Sequence, residues 1–168
     1  IVAAVAESAM RTVPTAESPC LTLSDALVEE AAIAKNTDEQ LGLFLKADEV
    51  LQTGSALRPL DLAFLVRRGD LRLRRAEMEQ DANKKTGLGI EAMGFYQKAA
   101  ALDPVNDELW YRLGYVAMGV LKSPDEALPF LTRSLECYGK SHTTYGLLGN
   151  VFFYKGTLAK DAGDRAAL

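Results

Sequence analysis

The sequence predicts an all-α fold, a solenoid of three to four antiparallel helix pairs. Apolar residues recur at helical spacing through nearly the whole chain, whereas alternating β-branched runs are almost absent. In addition, several helical segments can be laid over one another at a regular interval, which is typical of proteins built from stacked helical repeats.

One helix of the unit occurs three times. In its clearest copy, Ala92, Tyr96 and Ala99 share one helix face, because residues three or four apart stack on consecutive turns. A small–large–small face lets another helix approach closely, and Pro104 marks the end of the helix. The three segments are Asp38–Asp48, Ile90–Ala100 and Asp125–Leu135.

The helices between these segments also match one another. The matching positions are Trp110, Leu113 and Gly114 in one helix and Tyr145, Leu148 and Gly149 in the next. Trp110 and Tyr145 are 35 residues apart, as are the two glycines. A glycine inside a helix costs about 1 kcal/mol relative to alanine. We therefore expect a close helix–helix contact at Gly114 and at Gly149.

At these residues the chain resembles the tetratricopeptide repeat family. The unit of that family has 34 residues and reads W-x2-L-G-x2-Y, then A-x3-F and a closing P. Its first half appears as Trp110-x2-Leu113-Gly114 and again from Tyr145, and its second half as Ala92-x3-Tyr96 followed by Pro104. The resemblance is strong over residues 89–156 and degenerate before them. It implies a right-handed superhelix of three to four repeats.

Two departures from the family spacing predict local differences. The 35-residue interval indicates one extra residue in the turn near "LKSPDEA". The interval from Gly69 to Ala92 is 11 residues longer than in the family, and 11 residues are three helical turns. We therefore predict one long helix from Leu60 to about Lys85, followed by a short turn at "TGLG". The alternative is an ordinary helix followed by a longer loop.

The predicted organisation has five parts. Residues 1–20 form an N-terminal extension, 21–59 a degenerate helix pair, 60–105 the long helix plus a second helix, 106–140 a full repeat, and 141–168 a first helix with the start of an incomplete last repeat. In the degenerate pair, Thr37 with Gln40 suggests a capping box, and "TGSALRP" links it to the long helix.

The two ends leave alternatives open. "IVAAVAES" reads as an alanine-rich opening helix, or as the tail of a targeting segment. "KGTLAKDAGDRAAL" reads as a turn and the opening of another second helix. Since a solenoid normally ends in a polar cap, we expect a fragment of a longer repeat protein, or an end that a partner covers.

The resemblance places a binding groove on the concave side, where the first helices of such repeats bind an extended peptide or a partner's helix. Tyrosine combines a large contact area with a hydroxyl and is enriched at interfaces. The same rings could instead pack between repeats. A chaperone-type carboxylate clamp is disfavoured, because Gly146 stands where that subclass has lysine. The residues of this chain that correspond to the groove positions of the family are Glu108, Tyr111, Tyr115, Met118, Asn150, Phe153 and Tyr154.

A second candidate surface is an arginine face on the predicted long helix. Its five arginines fall within about half of a helical wheel, so they could dock an acidic partner or an anionic surface. Alternatively this face is solvated and self-paired, with Asp70 bound to Arg74 and Arg75 to Glu79 at i,i+4 spacing. The five are Arg67, Arg68, Arg72, Arg74 and Arg75.

Composition and motifs disfavour several classes of function. A net charge of −4 and a pI near 5.1 disfavour nucleic-acid binding. Cys20, Cys137 and the single His142 lack metal-ligand spacing, so no cofactor is expected, and the two cysteines read as unrelated thiols or as a disulfide. No phosphate loop or nucleophile–base pair is evident.

These observations predict a non-enzymatic protein–protein interaction module, such as an adaptor, an assembly factor or a structural subunit of a larger complex. The alternative is a regulatory repeat segment of an enzyme whose catalytic domain lies outside this chain. The compartment stays open.

Overall fold

The computed structural model describes residues 19–166, with side chains described as far as residue 160. This part of the chain consists of seven α-helices and no strand, which confirms the all-α prediction there. The interpretation of the first residues as a helix or a targeting segment lies outside the described residues. The helices are α1 (Pro19–Ala32), α2 (Thr37–Leu57), α3 (Leu62–Met78), α4 (Ala82–Leu102), α5 (Asp107–Tyr115), α6 (Pro124–Cys137) and α7 (His142–Ala166), and α5 continues into a π-helical turn, Val116–Val120.

Each helix packs mainly on its neighbours in the sequence, so the core is a chain of three linked clusters. The first cluster joins α1, α2 and α3 around Phe44 and Phe64. The second joins α3, α4 and α5 and contains Ala92, Tyr96, Ala99 and Leu113. The third joins α5, α6 and α7 around Ala117, Ala127, Leu131 and Val151. This arrangement of stacked helix pairs is an α-solenoid.

The two glycines that match in the repeat have different surroundings. Gly114 is buried, and a Cβ added there would lie 2.4 Å from Cδ2 of Leu131 on α6. An added Cβ at Gly149 would meet nothing within 4 Å, and Tyr145 is 54% exposed. The expectation that Tyr145 and Gly149 pack between repeats is therefore wrong, because no described helix covers that face of α7.

The predicted long helix from Leu60 to Lys85 is also wrong. Helix α3 ends at Met78, residues 79–81 form a break, and α4 begins at Ala82 and takes in the "TGLG" that was predicted as a turn. Asp81 ends the break by capping α4, since its Oδ1 accepts the backbone N–H groups of Asn83 and Lys84 at 2.9 Å each.

The 11 additional residues lengthen both helices of this hairpin. Helix α3 runs nine residues beyond Gly69, and ten residues of α4 precede Ala92. By contrast, only three residues of α6 precede Ala127. The far end of the hairpin lies against the end of the next pair, where an added Cβ at Gly89 would lie 2.7 Å from Val120.

The extra residue of the 35-residue interval lies within the helix rather than in the turn predicted near "LKSPDEA". The backbone N–H of Leu121 donates to the carbonyl of Val116, five residues back, at 3.1 Å. This π-helical turn takes up one residue without changing the position of Trp110 relative to Gly114. Lys122 then leaves the helix with a positive φ of 56°.

The first pair shows two further differences from the prediction. Asn36, not Thr37, caps α2: its Oδ1 accepts the N–H of Glu39 at 2.8 Å, while the Glu39 carboxylate accepts the N–H of Lys35 at 3.1 Å. The capping box is thus one residue earlier than expected. Most of "TGSALRP" belongs to α2, which continues to Leu57.

Helix α7 begins at His142, as expected, but it continues without a turn to Ala166. The turn predicted within "KGTLAKDAGDRAAL" is therefore absent, and the segment extends the first helix instead of starting a second one. No disulfide joins Cys20, which is buried in α1, to Cys137 at the end of α6.

Candidate functional site

A groove of about 410 Å³ lies between α3 and α5, the first helices of two consecutive pairs. One wall comes from α3 and the other from α5. The lining residues are Asp70, Leu73, Arg74, Glu77, Glu108, Tyr111, Arg112 and Tyr115. We call this space the α3–α5 groove.

Two half-buried tyrosines form the aromatic part of the α3–α5 groove. The ring centroids of Tyr111 and Tyr115 are 6.3 Å apart, and the Tyr115 hydroxyl donates to Oε1 of Glu77 at 2.9 Å. That hydrogen bond raises the pKa of Tyr115, and burial raises the pKa of Tyr111. Both hydroxyls therefore stay protonated at neutral pH, and the proton of Tyr115 is donated to Glu77.

An ionic network fixes the floor of the groove. Asp70 accepts a hydrogen bond from the hydroxyl of buried Tyr96 at 2.7 Å and forms an ion pair with Arg112. Nε of Arg112 lies 3.2 Å from Oε1 of Glu108. Burial alone would lower the pKa of Arg112, but Asp70, Tyr96 and Glu108 together outweigh it, so the pKa is raised. The wall residues are thus held in place before any ligand arrives.

A second hollow of about 300 Å³ continues the groove towards α1. It shares Asp70 and Arg74 with the α3–α5 groove, and its other wall contains Asp25 and Glu29. Arg67 bridges α3 to α1 through two hydrogen bonds to Asp25, at 2.7 and 3.0 Å. Adjoining hollows therefore run across α1, α3 and α5, which are all first helices.

Comparison with solved structures identifies the fold. TTC0263, a thermophilic TPR protein of Thermus thermophilus, matches with a TM-score of 0.66 and 18% identity over 98% of this chain and 78% of that chain. The Sgt2 TPR domain from Aspergillus fumigatus matches with a TM-score of 0.54 and 18% identity over 86% of this chain and 83% of that chain. The chain has a tetratricopeptide repeat (TPR) fold. No family model and no curated protein sequence matches it.

Within this TPR fold, the predicted groove residues separate into two groups. Glu108, Tyr111 and Tyr115 line the α3–α5 groove. Met118 does not line it, and both Met118 and Tyr111 are half-buried against the third core cluster. The predicted positions on α7 do not line the groove: Asn150 and Phe153 are exposed and Tyr154 is half-buried.

The five arginines of α3 do not form one surface. Arg72 is only 9% exposed and donates to both carboxylate oxygens of Asp48, at 2.8 and 2.9 Å, and to Glu91 at 2.6 Å. Arg67 binds Asp25, as described above, and Arg74 lines the α3–α5 groove. Arg75 lies on the other side of α3, beside α2.

Arg68 is held within the chain. Its guanidinium lies 4.4 Å from the ring centroid of Phe95 and donates to Ser55 at 3.2 Å, and burial lowers its pKa. The self-paired interpretation also fails in detail. Asp70 binds Arg112 rather than Arg74, and Glu79 accepts the backbone N–H of Asp81.

Sequence reasoning missed the α3 side of the groove and the network beneath it. Asp70 and Arg112 are 42 residues apart, so no local spacing links them. A partial signal was present, because a buried tyrosine such as Tyr96 usually needs a hydrogen-bond partner. That rule predicts that an acceptor exists, but it does not single out Asp70.

Among the described residues, no group of three or more histidine, cysteine or acidic side chains is arranged to hold a metal ion. In the same part of the chain, no helix is long and apolar enough to cross a membrane.

Proposed function

We propose that this chain is a non-enzymatic protein–protein interaction module whose α3–α5 groove binds a peptide or helix of a protein partner. The observation that carries the proposal is the pair Tyr111 and Tyr115, which remain half-exposed in a groove where Asp70, Glu108 and Arg112 are already bound to one another. Rings placed for core packing alone would be covered by neighbouring helices, as Tyr96 is.

The groove is preorganised for binding. Ion pairs to Asp70 and Glu108 hold Arg112, and Glu77 holds the Tyr115 hydroxyl. Because these side chains are fixed before binding, a ligand loses less free energy to side-chain ordering than it would on a flexible surface. Two rigid aromatic rings of this kind supply contact area at little cost in conformational entropy.

The shape of the site favours a chain segment over a compact small molecule. The α3–α5 groove of about 410 Å³ adjoins the hollow of about 300 Å³ beside α1, and Arg74 lines both. An extended peptide or one helix face can place successive side chains into the two hollows. The TPR fold supports the same interpretation, since the resemblance implies that first helices line a peptide-binding surface.

The test begins with peptides selected by phage display against the folded chain. Binding of the selected peptides is then measured by calorimetry for the wild type and for Tyr111→Ala/Tyr115→Ala. We expect the double variant to bind at least roughly tenfold more weakly, because buried interface tyrosines typically contribute about 1–2 kcal/mol each. Tyr138→Ala is the matched control, since Tyr138 is exposed at the end of α6, away from the groove.

Equal affinity of the wild type, the double variant and the control would contradict the proposal. Circular dichroism must first show that the double variant keeps its helix content. Peptides that lose affinity for Tyr154→Ala, and not for the groove variant, would instead place binding on α7.

A further inference from the structure

Helix α7 carries an uncharged, exposed stripe. Its members recur at alternating intervals of four and three residues, which places them on one helix face. Tyr145 is 54% and Phe152 59% exposed, and an added Cβ at Gly149 or Gly156 would meet nothing within 4 Å. The stripe, here called the α7 stripe, consists of Tyr145, Gly149, Phe152, Gly156 and Ala159.

The α7 stripe corresponds in register to a face of α5 that is covered. With the 35-residue offset, Tyr145, Gly149 and Phe152 match Trp110, Gly114 and Ala117. On α5 that face binds α6: the Trp110 ring stacks on Phe130 with centroids 6.4 Å apart, and Gly114 lies under Leu131. The α7 stripe is thus built to receive a helix of the α6 type.

The segment that should cover the stripe is part of α7 itself. The same offset carries Ala127 and Leu131 of α6 to positions 162 and 166, both alanine. The turn between α5 and α6, residues 121–123, corresponds to residues 156–158, which are helical. Because α7 is continuous there, its second half cannot fold back on its own first half.

We propose that two copies of this chain exchange the second halves of α7. In this arrangement the two α7 helices lie antiparallel about a two-fold axis that passes between Gly156 and Ala159. Residues 159–166 of each copy cover Gly149, Phe152 and Gly156 of the other. This contact repeats the α5–α6 interface between two chains, so it continues an interface that the solenoid already uses. Reciprocal exchange of an identical element is a low-cost route to a dimer.

The chemistry of the stripe fits a second copy. No member of the stripe is charged, so an antiparallel copy places uncharged surface on uncharged surface. Glycines at Gly149 and Gly156 let the two backbones approach closely, and Phe152 fills space beside them. Lys155, which precedes Gly156, is paired with Asp125 of α6 at 2.5 Å.

The first test is the mass of the full chain in solution, measured by sedimentation velocity over a wide range of concentration. We expect a dimer for the wild type and a monomer for Phe152→Asp, because the aspartate would lie buried without a partner. Ile90→Asp is the matched control. Ile90 is also 59% exposed on a helix, but it lies on α4, and this variant should stay dimeric.

A second variant tests the exchange itself. Leu158→Ser with Ala159→Pro copies the Ser123–Pro124 pair that starts α6. The proline breaks α7 and lets its second half fold back on the same chain. We expect a monomer with helix content close to that of the wild type. This variant still decides the question if Phe152→Asp fails to fold.

Cross-linking tests where the axis lies. In a Cys137→Ala background, oxidation should link two copies of Ala159→Cys, a stripe position beside the axis, but not two copies of Leu41→Cys, whose side chain is exposed on α2. A wild type that is monomeric at every concentration would overturn the exchange. So would a dimer that persists in both Phe152→Asp and the serine–proline variant. Tyr111→Ala/Tyr115→Ala should remain dimeric, which separates this inference from the groove.

Discussion

Gly114 and Gly149 occupy the same position of the repeat, yet only one of them is needed for close packing. Gly114→Ala should lower the free energy of unfolding by about 1–3 kcal/mol, because the new methyl group would overlap Leu131. Gly149→Ala should raise it by about 0.5–1 kcal/mol through helix propensity. Urea unfolding at low protein concentration, where exchange between copies is minimal, measures both. Equal effects would show that the α5–α6 contact can relax.

Tyr96 makes stability depend on alkaline pH. Its burial, and then the charge of Asp70, raise the pKa of its hydroxyl far above the ordinary value of 10.0. The unfolded chain therefore loses this proton first, so the stabilisation is complete below pH 10.0 and is lost as the pH rises further. The free energy of unfolding should fall by up to about 1.4 kcal/mol per pH unit.

The control for this prediction is Tyr96→Phe, which removes the titrating group and leaves the Asp70–Arg112 pair in place. Its stability should fall less steeply above pH 10.0 than that of the wild type. Parallel curves for the two proteins, measured by urea unfolding at each pH, would show that Tyr96 does not control the alkaline limb.

At the scale of single elements, the start of α4 depends on one carboxylate. Hydrogen bonds from the backbone N–H groups of Lys84 and Asn83 lower the pKa of Asp81 from 3.8. Asp81 therefore stabilises the folded state above pH 3.8, and this contribution disappears as the pH falls through the lowered pKa. Asp81→Ala should lower the urea midpoint at neutral pH, with a smaller difference from the wild type at acidic pH.

Asp81→Asn separates the cap from the charge, because asparagine is an equally good capping residue. It should keep most of the neutral-pH midpoint and lose the acid dependence. An alanine variant as stable as the wild type would mean that α4 is fixed by its packing, at Gly89 for instance, and not by its cap.

Some helices and helix ends could be predicted from the sequence, and others could not. The small–large–small face around Tyr96 and the stop at Pro104 are local patterns, so the helix that carries them was predictable. The break at residues 79–81 was not predictable, because helical periodicity continues through it. Its position depends on the cap at Asp81 and on the contact between Gly89 and Val120. The π-helical turn was not predicted, because the 35-residue interval shows that one residue is extra but does not show where in the interval that residue lies.

For the candidate site, the repeat offset located Tyr111 and Tyr115, since the register alone places them on a first helix. The same offset also selected Asn150 and Phe153 on α7, but these residues lie outside the α3–α5 groove, whose walls come from α3 and α5. The partners of Arg72 and Arg112 could not be predicted from the sequence, because several carboxylates could lie near each arginine. Which carboxylate binds each arginine depends on how the helices pack.

For the whole molecule, Arg72 connects the first helix pair to the second. It bridges Asp48 on α2 and Glu91 on α4, and these partners raise its pKa although its burial alone would lower it. Arg72→Leu should reduce the free energy of unfolding by about 3–5 kcal/mol, since it leaves Asp48 partly buried without a cation. Hydrogen exchange should show lost protection in α2–α4 and little change in α6.

Two further variants control this prediction. Arg133→Leu removes an exposed arginine that pairs with Glu136 and should change the urea midpoint little. Asp48→Leu combined with Arg72→Leu should recover part of the loss, because Asp48, the more buried of the two partners of Arg72, then no longer remains as an unpaired charge. Protection lost equally along the whole chain would show that the solenoid unfolds as one unit, without separate pairs.

The long α3–α4 hairpin indicates how insertions can change the length of one repeat in such a protein. Both helices extend further at the turn end of the hairpin than those of the next pair do, while near its middle Gly69 of α3 lies against Tyr96 of α4. An insertion of whole helical turns at that end is therefore absorbed by the pair in which it occurs. The packing of α5, α6 and α7 does not have to be re-selected, so evolution can vary the size of one repeat while its neighbours keep their sequences.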